Sequence, residues 1–449
     1  MSKYFYSKPK DFTGKRVTVM GLGLSGGGVG VARFLAENGA KVLVTDLRDE
    51  KTLKESLAEL SDLPIEYRLG EHKEEDFTKT DLVVKNPAVP WSSKYIVAAK
   101  KAKVPVDMEI GIFLELNEAP ILGVTGTKGK TTTATLLAEI MKAQFPKAKL
   151  AGNVRVSPLT YLDQLDIDTP VVLELSSFQL EIFEEHKMSP QIAIITNIFE
   201  DHLDRYDSLE AYVRAKENIF RFQKEGDYLI LDKDNAWTKK FKQTVKAEKI
   251  PTKIIYTSST RPSYSTDQVG MQGVHNLANI DLAVLAAKTY GIKDDLIAKV
   301  VKDFKGVENR LEFVRKAMGV KFYNDTTSTI PEATIAAIKS FEEPVILIAG
   351  GSEKNVTYEE LAKEIVEGVK HLILFNDSAS PRIEKAVLNL KIDFPISYAD
   401  TMPRAVELAQ KNMAKGDVVV MSPAAASFGL FKNEFDRGDQ YIKAVKKIK

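Results

Sequence analysis

The sequence predicts an α/β protein of three domains built on largely parallel sheets. Two observations carry this. Short β-branched apolar runs recur, each followed by a turn and a helical pattern, which marks parallel strand–helix units. The runs also fall into three groups, each opening with a strand that feeds a glycine- or threonine-rich turn. A chain of 449 residues has the length for roughly two to four such domains. It shows neither an internal repeat nor a low-complexity segment.

The first group contains "RVTVMGLG" (16–23), "KVLVTD" (41–46) and "DLVVKN" (81–86). The second contains "PILGVTG" (120–126), "PVVLELS" (170–176), "IAIITNI" (192–198) and "DYLILD" (227–232). The third contains "KFYND" (321–325), "PVILIAGG" (344–351), "HLILFND" (371–377) and "DVVVMSP" (417–423). Domains are therefore expected at 1–108, 109–306 and 307–449. The first should be Rossmann-like, the second a parallel sheet of P-loop ATPase type, and the third again a Rossmann-like α/β unit.

Composition narrows the function. A formal charge of +1 gives no general attraction to nucleic acid or anionic membrane, and the basic tail "KAVKKIK" reads as solvated. The chain has no cysteine, which excludes disulfides, thiolate metal sites and a cysteine nucleophile. No apolar run reaches the ~18 residues of a spanning helix, and the N-terminus lacks the apolar core of a signal peptide. The expectation is a cytoplasmic monomer acting on small molecules, with neither nucleic acid nor membrane as partner.

"GLGLSG", Gly21 to Gly26, is a complete G-x-G-x-x-G between a strand and a helix, and Asp46 ends the next strand. Such glycines let backbone N–H groups approach a diphosphate at a helix N-terminus. Read literally, the pattern predicts an NAD-dependent oxidoreductase; a generic tight turn is the plainer reading. Gly27, Gly28 and Gly30 suggest a longer loop than a dinucleotide fold uses.

"GVTGTKGKTT" (123–132) has the parts of a phosphate loop but Val124 where the usual spacing wants its first glycine. Backbone amides around Gly126, Thr127, Lys128 and Gly129, a lysine (Lys130) and a hydroxyl for Mg²⁺ (Thr131, followed by Thr132) are all present. Downstream, Glu174 interrupts a buried-strand pattern, where an unpaired carboxylate is costly. His202 follows another apolar strand. In parallel sheets both would converge on the carboxyl edge, and carboxylate with imidazole suits Mg²⁺ or Mn²⁺. Lys216 reads as a solvated helix lysine, and His275-Asn276 as a helix start.

These motifs, with "ELSSFQLE", "TNIFEDHLDRY…YVRAKENIF", "HNLANIDLAVLAA", "GVENRLEFV", "YNDTTST" and "SPAAASFGLFKNEFDRG", stand in the order seen in the Mur ligases. The resemblance runs from Gly21 to Gly438. "GLGLSG" and "SPAAASFGLFKN" point within the family to its D-glutamate-adding branch. It implies an ATP-dependent amide-forming ligase that extends UDP-N-acetylmuramoyl-L-alanine through an acyl phosphate, for peptidoglycan precursors. On that resemblance Leu24, Ser25, Arg48, Asn86 and Asn153 would contact the UDP substrate. Lys130, Thr131 and their loop would hold ATP, with Asn276, Asn279, Arg310 and Asp325. Two Mg²⁺ ions would be held by Thr131, Glu174, His202 and a carbamylated Lys216. Thr329, Lys354, Ser427 and Phe428 would receive the amino acid.

Several positions depart from the family pattern. Thr327 and Ile330 replace a lysine and an asparagine, Asn309 a histidine, and Glu434 an aromatic residue that Phe435 could supply. The first glycine loop is about two residues longer. The alternatives are therefore another Mur-type or folylpolyglutamate-like ligase, the oxidoreductase, and a non-catalytic nucleotide-binding regulator.

Overall fold

A computed structural model describes residues 6–23, 26–154, 156–200, 205–265, 268–269, 271, 275–353, 356–427 and 429–448. The chain divides into two compact units, Met1–Ser265 with Leu277–Val301, and Thr266–Asn276 with Lys302–Lys449.

The first unit holds two sheets. In one, β1 (Arg16–Met20), β2 (Lys41–Asp46), β3 (Glu66–Leu69), β4 (Leu82–Lys85) and β5 (Val106–Asp107) lie parallel in the order β3-β2-β1-β4-β5. The order reverses between β1 and β4, and the crevice beyond such a switch point is where open α/β sheets bind ligands. Gly21 and Asn86, which follow these strands, meet there. The Asn86 N–H donates to Met20 O at 2.8 Å and its side-chain amide to Gly21 O at 3.4 Å.

In the other sheet, β6 (Ile121–Thr125), β7 (Lys149–Gly152), β8 (Val171–Glu174), β9 (Ile192–Ile195), β10 (Tyr228–Asp232) and β11 (Lys253–Thr257) are parallel in the order β11-β10-β9-β6-β8-β7. β6, β8 and β9 are buried along their whole length. Both faces are covered, which is why these runs show no alternation. One apolar core links the two sheets, running from Val17 and Val44 through Ile112 and Phe113 to Leu173 and Phe183. At about 1.5–3 kcal/mol for each large side chain so buried, it joins the sheets into one body.

A polar cluster sits inside that junction. His186 meets Asp107 Oδ1 through Nε2 at 3.1 Å and Glu115 Oε1 through Nδ1 at 2.7 Å, and the Tyr6 hydroxyl donates to the other Asp107 oxygen. Burial alone would lower the His186 pKa; its two carboxylate partners outweigh burial and raise it. Nearby, Glu109 is buried, its Oε1 has no hydrogen-bond partner among the described residues, and burial pushes its pKa up to about 7.

The second unit holds β12 (Glu312–Ala317), β13 (Val320–Asn324), β14 (Val345–Ala349), β15 (Val369–Phe375), β16 (Ile396–Ala399) and β17 (Val418–Met421), in the order β12-β13-β17-β14-β15-β16. The sheet is mixed, because β12 runs antiparallel to β13. Met318 and Gly319 both have positive φ, 52° and 79°, the two-residue turn that returns a strand directly alongside its predecessor.

Two expectations are corrected. Gly27, Gly28 and Gly30 do not lengthen the loop; they lie in the helix Gly27–Glu37. A Cβ at Gly28 would strike Leu22 O and one at Gly30 would strike the Ser157 side chain, so they allow this helix to pack closely against the loop backbone and against Ser157. The C-terminal tail is not merely solvated: helix Glu434–Lys446 buries Tyr441 and Val445.

Candidate active site

The missing glycine of the phosphate loop has a plain cause. Val124 is a fully buried strand residue, in register with Glu174 of β8 and Ile194 of β9. The strand runs to Thr125, so the loop begins only at Gly126. Gly126 has φ +145°, and a Cβ there would strike the Thr196 hydroxyl. Gly129 has φ +80° and opens the helix Lys130–Gln144; a Cβ there would strike the Asn279 amide. Both glycines are thus required, and Asn279 lies against the loop at Gly129. Thr132 is buried in the first turn of that helix.

A second segment clamps the loop. Asn197 accepts from Lys128 N–H through Oδ1 at 2.8 Å and donates from Nδ2 to Lys128 O at 3.1 Å. The Thr196 hydroxyl donates to the same carbonyl at 2.6 Å, and Thr127 N–H donates to Asn197 O at 2.9 Å. The first loop amides are therefore committed internally. The N-terminal amides of the following helix lack intrahelical partners by construction, an arrangement of the kind that suits an anion. The Lys130 ammonium folds back onto Thr127 O at 2.9 Å.

Glu174 ends β8 beside this loop and is 1% exposed. Asn153 Nδ2 donates to its Oε1 at 2.7 Å, while Oε2 is buried without a hydrogen-bond partner among the described residues. Lys216 contradicts the solvated reading. It is 1% exposed on helix Leu209–Glu217, donating to Gly126 O at 2.9 Å and Thr125 Oγ1 at 3.3 Å. Its ammonium lies 4.7 Å from the Tyr212 ring centre, and the Tyr212 hydroxyl meets Thr127 Oγ1 at 3.0 Å. Lys130, Glu174, Asn153, Lys216 and Asn279 thus gather at one carboxyl edge. Sequence reasoning missed Asn197 and Tyr212. A signal existed for Lys216: Tyr212 and Val213, at i−4 and i−3, place it on the apolar face.

A buried carboxylate oxygen left unpartnered is expensive, and Glu174 Oε2 beside the Thr131 helix start suits a hard divalent cation. Among the described residues no group of three or more His, Cys, Asp or Glu is arranged to hold a metal ion. His202, the other expected protein ligand, lies outside the described residues.

At the first sheet's edge, Asp46 accepts from Gly23 N–H at 3.1 Å and from Arg48 N–H at 2.9 Å. The acid that a nicotinamide reading assigns to a ribose instead braces the glycine loop. The Arg48 side chain, half exposed, reaches Asp46 at 3.4 Å. Leu24 and Ser25 lie outside the described residues.

In the second unit Asp325 follows β13 and is pushed up to about 6 by burial, against hydrogen bonds that include Ser422 Oγ at 2.7 Å and Leu311 N–H at 3.0 Å. Arg310 is exposed nearby in sequence, Thr329 is half-buried, and Ser427 is buried. Thr327 donates its hydroxyl to Asn309 O at 2.8 Å. Asn276 is buried in helix His275–Tyr290. Lys354 and Phe428 lie outside the described residues.

Comparison with known proteins agrees with this architecture. Family models match in chain order: "Mur ligase MurD-like, N-terminal domain" over residues 15–107, "Mur ligase middle domain" over 124–288 and "Mur ligase, glutamate ligase domain" over 309–425. A Roseiflexus sp. protein named UDP-N-acetylmuramoylalanine--D-glutamate ligase is 43% identical, covering 97% of this chain and 99% of its own length. Among solved structures, the UDP-N-acetylmuramate-alanine ligase of Thermotoga maritima is 20% identical with a TM-score of 0.63, covering 97% of this chain and 100% of that one. The MurF ligase of Thermotoga maritima in complex with ADP is 17% identical with a TM-score of 0.56, covering 99% and 98%. The chain belongs to the Mur ligase family.

Proposed function

We propose that this chain joins D-glutamate to UDP-N-acetylmuramoyl-L-alanine at the expense of ATP, by way of an acyl phosphate. The observation that carries this reading is the gathering of Lys130, Glu174 and Lys216 around a phosphate loop shortened by Val124. Residues 1–108 would hold the UDP substrate through Leu24, Ser25, Arg48 and Asn86. Residues 109–306 would hold ATP, and residues 307–449 the amino acid through Thr329, Lys354, Ser427 and Phe428. Arg310 and Asp325 would reach the nucleotide from that third domain, as Asn276 and Asn279 would from the second.

Phosphate oxygens would take the place of Thr127 O on the Lys130 ammonium, which then offsets charge as the alanyl carboxylate attacks the γ-phosphorus. Glu174 is already turned for a ligand by Asn153. Lys216 as a carbamate would present oxygens where its ammonium would repel a cation; the neutral amine adds CO₂ and releases one proton. Thr131, Glu174, His202 and that carbamate would hold two Mg²⁺ ions, which when bound would neutralise phosphate charge and polarise the acyl group. The amine of the amino acid then attacks the acyl carbon and phosphate leaves. Exclusion of water protects this intermediate from hydrolysis.

Small molecules are the only partners this chemistry needs, and we place the chain in the cytoplasm as a monomer. The test is phosphate release from ATP with a panel of acceptors and amino acids. Release should require UDP-N-acetylmuramoyl-L-alanine and D-glutamate together. Clear preference for another amino acid would favour a sibling ligase, a reading supported by Thr327, whose hydroxyl donates to Asn309 O where the resemblance leads one to expect a lysine.

A further inference from the structure

Arg205 joins the two ligand-facing edges of the first unit, and nothing in the proposed chemistry uses it. Its guanidinium spans three consecutive carbonyls of the segment after β4. Nη1 donates to Ala88 O at 2.6 Å, and Nη2 to Val89 O at 3.2 Å and Pro87 O at 3.5 Å. The same segment holds the glycine loop: Asn86 Oδ1 accepts from Ala88 N–H at 3.0 Å while its amide reaches Gly21 O.

On the other side, the guanidinium lies 4.9 Å from the ring centre of Phe178 and 3.9 Å from Glu181 Oε2. Phe178 belongs to the short helix Ser177–Leu180, fixed by the Ser176/Gln179 capping box directly after Glu174. Leu175, between Glu174 and that helix, is tied to the phosphate-loop strand by Thr125 Oγ1 at 2.7 Å. Polar and stacking contacts therefore run from Gly21 through Arg205 to Phe178, on the helix that follows Glu174 in the chain, and Arg205 is their central member. A planar fork can serve several acceptors and stack at once; a lysine ammonium cannot.

We propose that Arg205 is a positioning residue that sets the separation between the Gly21–Asn86 edge, where the substrate diphosphate would sit, and Glu174, beside which the substrate's reacting carboxylate would sit. The inference rests on the ligase reading above. A substrate held at both ends reacts only if that span matches its length, and a misplacement of about 1 Å costs on the order of 100-fold. Substrates held at one end should not sense the change.

The test measures three quantities on the full chain and on Arg205→Ala and Arg205→Lys. They are kcat/KM for UDP-N-acetylmuramoyl-L-alanine by phosphate release, binding of UDP alone, and binding of ADP with Mg²⁺. Both variants should lose about 10- to 100-fold in kcat/KM, mostly in kcat, while UDP and ADP affinities stay within about twofold. Unchanged kcat/KM in both variants overturns the inference. Parallel loss of UDP and ADP binding also overturns it, since Arg205 would then only hold the fold. An unsubstituted chain that releases no phosphate removes the ligase reading and this inference with it.

Discussion

Asn153 grips Glu174 twice: its backbone N–H donates to the Glu174 carbonyl at 2.9 Å, and its side-chain amide to Oε1 at 2.7 Å. The grip leaves Oε2 as the oxygen that a cation can take. Asn153→Ala should therefore raise the Mg²⁺ concentration for half-maximal phosphate release by about tenfold, the usual cost of losing an outer-shell partner. Glu174→Gln should lose roughly 100-fold or more in kcat. A magnesium titration of both variants checks this, and an unmoved Mg²⁺ midpoint in Asn153→Ala would refute the orienting role.

Lys216 is buried against Gly126 O and Tyr212. Lys216→Ala should be nearly inactive and partly rescued by short carboxylic acids, which restore oxygens in the space left. Full activity of the variant in bicarbonate-free buffer would rule out the carbamate.

Restoring the ordinary phosphate-loop spacing should do harm. Val124→Gly removes a fully buried side chain from the central strand between β8 and β9 and loosens that strand, at about 3–4 kcal/mol. Denaturant unfolding should show that loss, and calorimetry no gain in ATP affinity. Tighter ATP binding would mean that loop length, and not the strand, governs the site.

Glu109 supplies a pH prediction. Its folded pKa of about 7 lies above its ordinary 4.5 because burial disfavours the charged form. For an acid raised in this way, its contribution to stability is complete below 4.5 and is lost as pH climbs to 7. Glu109→Gln removes the penalty, worth at most about 3 kcal/mol at 1.36 kcal/mol per pH unit. The variant's unfolding midpoint should exceed that of the unsubstituted chain more at pH 8 than at pH 5. An equal difference at both would show that Glu109 does not titrate there.

The apolar runs read as strands all proved to be strands, because central strands covered on both faces are spelled in unbroken Val, Ile and Leu. The strands that escaped are short or carry the marks of a sheet edge. β3 "EYRL" and β11 "KIIYT" are partly exposed, β5 has two residues, and β7 "KLAG", β12 "EFVRKA" and β16 "ISYA" mix polar and apolar positions. Lys130 and Glu174 were legible because each breaks a local rule: a lysine opening a helix after glycine, a carboxylate inside a buried strand. Asn197 was not, since a polar residue after a strand is ordinary until its two bonds to Lys128 are seen. Asp46 was legible as a residue of interest but misleading as to partner, because sequence spacing does not tell which way a carboxylate turns.

The Asn197 clamp has a thermodynamic meaning. A loop whose first amides are already bonded has surrendered its conformational freedom during folding, so a nucleotide arriving there need not purchase that order again. If ADP binds at this loop, its binding should carry only a small ordering entropy from the loop itself, and calorimetry of ADP binding to an Asn197→Ala variant should show a larger one.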